Sequence, residues 1–225
     1  MALDRPLRYG MVGGGPGAFI GAVHRSAAAL DGDLDLVAGA FSSDPETSHR
    51  QGAALHLAPE RVYDTYAQMA AAEAERPDGI DVVSIVTPNH LHYDVACAFI
   101  DRGIHVICDK PMTTTLDDAE ALCRRVEAQD VVFCLTHTYA GYPLVKQARA
   151  LVQQGRLGEL RKVVVAYPQG WLNRRLEEGE PKQASWRTDR AMAGACALGE
   201  SGTHAEYRAG EGKGTDRERL SADVG

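Results

Sequence analysis

A lysine near the middle of the chain stands where chemistry is expected. Lys110 lies between Asp109 and Pro111, directly after the short apolar segment 104–108. In open α/β sheets, ligands bind at the carboxyl ends of the strands, so a cation held there by a proline indicates a functional site. The alternative interpretation is a solvated loop lysine, with Pro111 serving only to end the strand.

A glycine-rich segment follows the first apolar segment of the chain and reads Gly13-Gly14-Gly15-Pro16-Gly17-Ala18. Gly13, Gly15 and Ala18 match the pattern Gly-x-Gly-x-x-Gly/Ala, whose small residues allow a tight turn, the approach of a pyrophosphate and helix–strand packing. The following helix would offer its free N–H groups to the phosphates. Because the segment lies between a predicted strand and a predicted helix, it predicts a dinucleotide site. A plain glycine turn and a methyltransferase-type nucleotide site are the alternatives.

The end of the second predicted strand bears on the choice between NAD and NADP. An acid there would accept hydrogen bonds from the adenosine ribose of NAD. This strand ends with Ser42 and Ser43, and Asp44 is better explained as the cap of a helix that begins at Pro45. Serine hydroxyls bond either a ribose or a 2′-phosphate, and Arg50 is within sequence reach of a phosphate. The sequence therefore leaves both NAD and NADP open.

A polar cluster follows the fourth predicted strand. It consists of Thr87, Pro88, Asn89, His90 and His92. We expect it on the same edge of the sheet as the glycine-rich segment and Lys110, because the carboxyl ends of parallel strands meet at one edge. Helix capping by the two histidines is the alternative.

Apolar runs alternate with segments of helical period from residue 7 to about residue 154, which predicts βαβ units and a parallel sheet. The expected strands are 7–12, 34–40, 61–63, 81–87, 104–108 and 131–135, and the expected helices are 17–30, 45–56, 66–75, 90–102, 116–129 and 142–154. A longer strand over 160–167 is typical of an antiparallel sheet. A second domain is therefore expected from about residue 140.

Composition excludes several classes of protein. The net charge of −7 argues against a nucleic-acid surface and favours a small-molecule partner. The five cysteines are scattered and never form a Cys-x-x-Cys pair, which predicts a reduced, cytoplasmic protein without disulfides or a metal site. Neither a signal peptide nor a membrane span is expected.

These residues resemble a known family, the glucose–fructose oxidoreductase / inositol dehydrogenase (Gfo/Idh/MocA) group of NAD(P)-dependent oxidoreductases. The resemblance rests on ordered motifs. These are the glycine-rich segment, Thr87 to His92, Gly103 to Pro111, Gly155-Arg156-Leu157-Gly158, Trp186-Arg187-Thr188-Asp189 and Leu198 to His204. The family's usual Glu-Lys-Pro is Asp109-Lys110-Pro111 here. The resemblance implies a doubly wound Rossmann domain over residues 1–139 and an incomplete, mainly antiparallel α+β domain over 140–225.

The activity implied by the resemblance is hydride transfer between a nicotinamide and the carbinol carbon of a sugar or polyol. It assigns Lys110 to the substrate oxygen, His204 to proton acceptance, and Glu200 to the acid that the family usually supplies as Asp. The implied cofactor site comprises Gly13, Gly14, Gly15, Pro16, Gly17, Ala18, Ser42, Ser43, Thr87, Pro88, Asn89, His92, Asp109, Lys110, Trp186 and Arg187. An intact member would be a homo-oligomer.

The second domain is shorter than the family's pattern requires. From residue 206 the chain consists mostly of charged residues and glycine, so we expect the segment 206–225 not to fold on its own. We expect the chain to be a fragment. A non-catalytic NAD(P)-binding protein, either a pseudoenzyme or a regulatory sensor, is the alternative to an oxidoreductase.

Overall fold

The computed structural model describes residues 5–166, Met192 and residues 204–208. The chain divides into two compact units, Met1–Thr136 and His137–Gly225.

The first unit contains a five-stranded parallel sheet. Its strands are β1 (Leu7–Gly13), β2 (Leu34–Ala40), β3 (Val82–Val86), β4 (His105–Cys108) and β5 (Phe133–Leu135). Their order in the sheet is β2-β1-β3-β4-β5, and every neighbouring pair is parallel. The chain therefore starts inside the sheet at β1, places β2 at one edge, crosses back over β1 and adds β3, β4 and β5 in order toward the other edge. This is the doubly wound arrangement predicted from the sequence.

Five helices connect these strands. They are α1 (Phe19–Ala29), α2 (Pro45–Ala54), α3 (Tyr66–Glu75), α4 (His92–Ile100) and α5 (Leu116–Gln129). Two predicted start signals are present. The Asp44 carboxylate accepts a hydrogen bond from the Thr47 N–H at 2.9 Å, and Thr115 caps α5 by accepting from the Asp118 N–H at 3.2 Å. These side chains satisfy N–H groups that have no partner within the helix.

The prediction of a strand over 61–63 is wrong. Pro59–Arg61 forms a 3₁₀ turn, and the sheet is met only by an isolated parallel bridge between Gly39 and Val62. The Arg61 side chain is buried and donates to the Glu73 carboxylate from Nε at 3.1 Å. The segment therefore turns inward to reach α3 instead of extending along β2. This contact between distant residues overrides the local β-propensity.

Helices cover both faces of the sheet, so the strands read as nearly continuous apolar runs. Along β3, Val83 and Ile85 pack with Met69 of α3 and Phe99 of α4, whereas Val82 and Val86 belong to a second apolar cluster. Alternate residues of a strand point to opposite faces. Ser84 therefore lies on the same face as Val82 and Val86.

The second unit contains α6 (Pro143–Gln153), β6 (Lys162–Ala166) and β7 (His204–Arg208). The two strands pair in antiparallel register, with Lys162 opposite Arg208. Residues 206–208 therefore form part of a strand that pairs with β6, whereas our expectation for 206–225 concerned that segment on its own. Backbone pairing needs no apolar face, so a charged sequence can still form a strand. The rest of that segment lies outside the described residues.

Candidate functional site

The glycine-rich segment joins β1 to α1 with backbone angles that favour glycine. Gly13, Gly14 and Gly17 have φ values of 86°, 73° and 77°. A Cβ atom at Gly13 would also lie 2.8 Å from the Val86 carbonyl oxygen at the end of β3. Both the conformation and the close approach therefore exclude a side chain at Gly13.

Two other glycines are required by close contacts. A Cβ atom at Gly15 would lie 2.7 Å from the Phe41 carbonyl oxygen, and one at Gly21 of α1 would lie 2.5 Å from the Gly14 Cα atom. Gly21 therefore provides the helix–turn packing that the sequence pattern assigned to Ala18. Ala18 is instead the N-cap residue of α1, and its N–H donates to the Gly15 carbonyl at 3.0 Å. The sequence signal for this contact was Gly21 itself, because a glycine inside a predicted helix often marks close packing.

The amino terminus of α1 is open to an anion. No side chain caps this helix, and its first turn carries no acidic residue. Pro16 and Gly17, which precede it, are exposed. The first N–H groups of α1 and the positive end of its dipole therefore face outward from the glycine turn. This arrangement suits a phosphate group.

The segment after β3 lies against this turn. A Cβ atom at Gly13 would meet the Thr87 backbone nitrogen at 3.1 Å, and Asn89–Leu91 then forms a 3₁₀ turn that leads into α4. Thr87 Oγ1 and His90 Nδ1 are buried atoms without a hydrogen-bond partner among the described residues. Because buried polar atoms are nearly always satisfied, the Thr87 hydroxyl beside the glycine turn fits the binding of a polar ligand.

His92 is engaged with the protein on both sides of its ring. It is 1% exposed, with Nδ1 at 2.6 Å from the Pro111 carbonyl oxygen and Nε2 at 2.9 Å from the Thr87 carbonyl oxygen. Both partners are acceptors, so neither ring nitrogen is left for a cofactor. His92 instead ties the segment after β3 to the segment after β4. Its contribution to the site is to hold the backbone of these two segments.

Lys110 lies at the same edge of the sheet as the glycine turn. The register places Gly13 beside Val86, and Ile85 beside Cys108, the last residue of β4. The Asp109 N–H continues this pairing by donating to the Ile85 carbonyl at 2.9 Å. Lys110 follows with an exposed side chain, and its peptide bond to Pro111 is cis. The structure thus brings the glycine turn, Thr87 and Lys110 to three adjacent strand ends.

The end of β2 is occupied by a helix cap. The Asp44 N–H donates to Ser42 Oγ at 3.1 Å, and Arg50 donates to Thr47 Oγ1 at 3.1 Å. Hydrogen bonds from Thr47 to the exposed Asp44 carboxylate lower its pKa. Ser43 is exposed. The Asp44 carboxylate is therefore used by α2, as the sequence predicted.

The remaining predicted site residues belong to the second unit. Glu200, Trp186 and Arg187 lie outside the described residues. His204 is the first residue of β7, where its backbone is opposite Ala166.

The part of the chain that the structure describes holds no cluster of three or more His, Cys, Asp or Glu side chains that could bind a metal ion. Within the same residues, no helix combines the length and the apolar character needed to cross a membrane.

Two family models match the chain. Residues 7–137 match the oxidoreductase family with an NAD-binding Rossmann fold, and residues 145–209 match the GFO/IDH/MocA C-terminal domain. The first match covers the whole parallel sheet and all of its connecting helices.

Individual relatives agree with these models. The chain is 38% identical to the uncharacterized oxidoreductase YfiI of Bacillus subtilis, over 91% of this chain and 53% of that protein. It is 34% identical to levoglucosan dehydrogenase of Pseudarthrobacter phenanthrenivorans, over 60% of this chain and 34% of that protein.

Among solved structures, the inositol dehydrogenase homolog of Azotobacter vinelandii, complexed with NAD+, matches with a TM-score of 0.80 and 40% identity. The alignment covers 85% of this chain and 49% of that one. The chain thus spans about half the length of the first relatives it matches, 53% in the case of YfiI. The parallel order of the sheet, the glycine turn and both family models agree, and the chain belongs to the Gfo/Idh/MocA family of oxidoreductases.

Proposed function

We propose that this chain is the nucleotide-binding part of an NAD(P)-dependent oxidoreductase acting on the CH–OH group of a sugar or polyol. The observation that carries the proposal is the convergence of the glycine turn, the unpartnered Thr87 hydroxyl and Lys110 at adjacent strand ends. This edge is where a doubly wound sheet binds a dinucleotide.

The geometry supports a pyrophosphate at the glycine turn. Side chains are excluded from Gly13 and Gly15, which lets a ligand approach the backbone closely, and the uncapped start of α1 supplies N–H donors. The same kind of ligand is named for two homologous structures, the A. vinelandii protein complexed with NAD+ and the same protein with NADH and myo-inositol. The proposed cofactor is therefore NAD or NADP.

A bound nicotinamide would supply the hydride acceptor or donor of the reaction. Lys110 would then hold the oxygen of the carbinol carbon and stabilise negative charge that develops on it. Removal of the hydroxyl proton needs a base, and the family pattern assigns this step to His204 with Glu200 beside it. The imidazole of histidine titrates near neutral pH in its unperturbed form, which suits that role.

The substrate class is proposed from the relatives. Their names include levoglucosan dehydrogenase, D-xylose 1-dehydrogenase and scyllo-inositol 2-dehydrogenase, all of which act on polyhydroxylated rings or chains. A homo-oligomer is proposed for the whole protein, to be measured by light scattering. A cytoplasmic location is also proposed, because Cys97, Cys108, Cys123 and Cys134 are free thiols in the structure.

A titration of the chain with NADH and NADPH, followed by nicotinamide fluorescence, tests the cofactor proposal. We expect saturable binding of at least one of them. A screen of sugars and polyols with the preferred cofactor then tests turnover. Failure to bind either cofactor would contradict the proposal, whereas binding without turnover would support the expectation that the chain is a fragment.

A lysine variant separates the role of Lys110 from binding. Lys110→Met should abolish turnover in any longer form of the protein that is active, because the substrate oxygen would no longer contact the lysine ammonium group. The matched control is Lys146→Met, a change of an exposed lysine on α6 that should leave turnover unchanged. Equal activity of the two variants would remove Lys110 from the mechanism.

A further inference from the structure

Four polar side chains meet around the residue that directly precedes Lys110. We call them the His24 cluster: His24 of α1, Ser84 of β3, Asp109 after β4 and Thr136 after β5. His24 Nδ1 lies 3.0 Å from Ser84 Oγ, and His24 Nε2 lies 3.9 Å from Asp109 Oδ1. Thr136 Oγ1 donates to Asp109 Oδ1 at 3.0 Å. The cluster therefore links the first helix to three neighbouring strands.

The order Ser84, His24, Asp109 has the residue types of a hydrolytic triad, but the geometry excludes that use. Ser84 is 3% exposed and lies in the middle of β3, where its backbone is paired with Met11 and Ile107 on the two flanking strands. A substrate carbonyl cannot reach its hydroxyl without opening the sheet. The cluster therefore stabilises the local structure and does not supply a nucleophile.

The group that the cluster holds is the Asp109 carboxylate. The Asp109 side chain is 17% exposed, and burial alone would raise its pKa. The approach of His24, the hydrogen bond from Thr136 and the backbone N–H of Lys110 outweigh burial, so the pKa is lowered on balance. The Asp109 carboxylate thus accepts a hydrogen bond from the backbone N–H of Lys110. This bond helps to set the direction in which the chain leaves β4 at Lys110.

His24 also belongs to the helix that begins at the glycine turn. His24 is five residues after Phe19, the first residue of α1. The helix proposed to bind the phosphates therefore also contacts the Asp109 carboxylate, directly before Lys110. Displacing His24 removes the contact between His24 Nε2 of this helix and Asp109 Oδ1. It leaves the glycine turn itself intact, because Gly13, Gly14 and Gly21 pack against one another and against β3.

We propose that His24 is a positioning residue that aligns Lys110 with the nicotinamide end of the cofactor by holding Asp109. This inference rests on the proposed function. It assigns the two ends of the cofactor to different parts of the protein: the phosphates depend on the glycine turn, and the nicotinamide end depends on the His24 cluster.

Comparing NADH with ADP-ribose, which lacks the nicotinamide, tests this inference on the whole chain. His24→Leu removes the hydrogen bond to Ser84 and the ionic contact with Asp109. It should weaken NADH binding about tenfold, which corresponds to about 1.4 kcal/mol, and change ADP-ribose binding less than about twofold. His24→Gln should restore most of the NADH affinity, because its amide nitrogen can take the place of Nε2. His49→Leu on α2, outside the cluster, is the control and should change neither affinity.

Each outcome decides the inference. Equal weakening of NADH and ADP-ribose would show general damage and overturn it, and so would unchanged binding of both. If His24→Leu does not fold, Thr136→Val removes the other side-chain donor to Asp109 with little change of shape and should give the same NADH-selective loss. Wild-type protein that binds neither ligand would contradict the proposed function itself, and the positioning role with it.

Discussion

The strongest quantitative prediction concerns Gly15. Its Cβ position lies 2.7 Å from the Phe41 carbonyl oxygen, whereas ordinary van der Waals contacts of a Cβ atom begin at 3.4 Å. Gly15→Ala therefore creates an overlap of about 0.7 Å, the difference between these two distances. Gly15 does not have a left-handed φ, so among the described residues the close approach of the Phe41 carbonyl is the obstacle to alanine.

The glycine turn should move to relieve this overlap, because Phe41 is fixed. Phe41 is buried, and its N–H donates to Ser48 Oγ at 3.0 Å, which in turn donates to the Tyr63 carbonyl at 3.0 Å. A shift of about 0.7 Å takes a typical hydrogen bond of 2.9 Å beyond its normal range. Losing one hydrogen bond to a charged phosphate costs about 1.5–3 kcal/mol, or roughly 10- to 150-fold in affinity.

The assay is a fluorescence titration of Gly15→Ala with NADH, beside chemical unfolding of the same sample. We expect the dissociation constant to rise by that factor and the free energy of unfolding to fall by about 1–3 kcal/mol. Gly141→Ala is the control, since no atom of the described residues lies within 4 Å of its Cβ position and its φ is not in the left-handed region. Wild-type NADH affinity in Gly15→Ala would refute the placement of the phosphates at this turn.

Three further predictions concern stability and pH. Glu73 is 2% exposed and accepts from Arg61, so Glu73→Ala should lower the free energy of unfolding by about 3–5 kcal/mol, because the buried arginine loses its close carboxylate and keeps the longer contact with Asp78 at 3.8 Å. The exposed Glu75→Ala should have little effect in the same urea titration. The pKa of Asp109 is lowered in the folded state, so its carboxylate stabilises the fold above about pH 4, and this stabilisation is lost as pH falls through the folded-state pKa. Asp109→Asn should therefore be less stable at neutral pH, and its free energy of unfolding should fall less steeply at acid pH than that of the wild type. An unchanged fall at acid pH would contradict this. Thr115→Ala removes the cap of α5 and should cost about 1 kcal/mol by thermal unfolding, a result that Thr115→Ser should largely avoid.

The order of strands and helices was readable from the sequence because each element carries a local signal. The alternation of short apolar runs with helical periods gave the parallel sheet, and Asp44 before Pro45 gave the start of α2. The convergence of the glycine turn, Thr87 and Lys110 followed from a rule about strand ends, which needs no coordinates.

The parts that were missed depend on contacts between distant residues. His24 meets Asp109 across 85 positions of sequence, which no periodicity indicates. The packing of Gly21 on Gly14 and the inward turn of Arg61 toward Glu73 likewise appear only once the helices are placed on the sheet. The contacts of the His92 ring with the Pro111 and Thr87 carbonyl oxygens likewise depend on tertiary structure, and a cofactor-binding role for His92 and Ala18 stays a prediction.

The central claim is that one dinucleotide lies along the carboxyl edge of this sheet, from the glycine turn to Lys110. A crystal structure of the chain grown with NADH tests it most directly. The account predicts the pyrophosphate within hydrogen-bond distance of backbone N–H groups at the start of α1, with the nicotinamide ring next to Lys110. A dinucleotide bound elsewhere, or with its adenine at Lys110, would contradict the account.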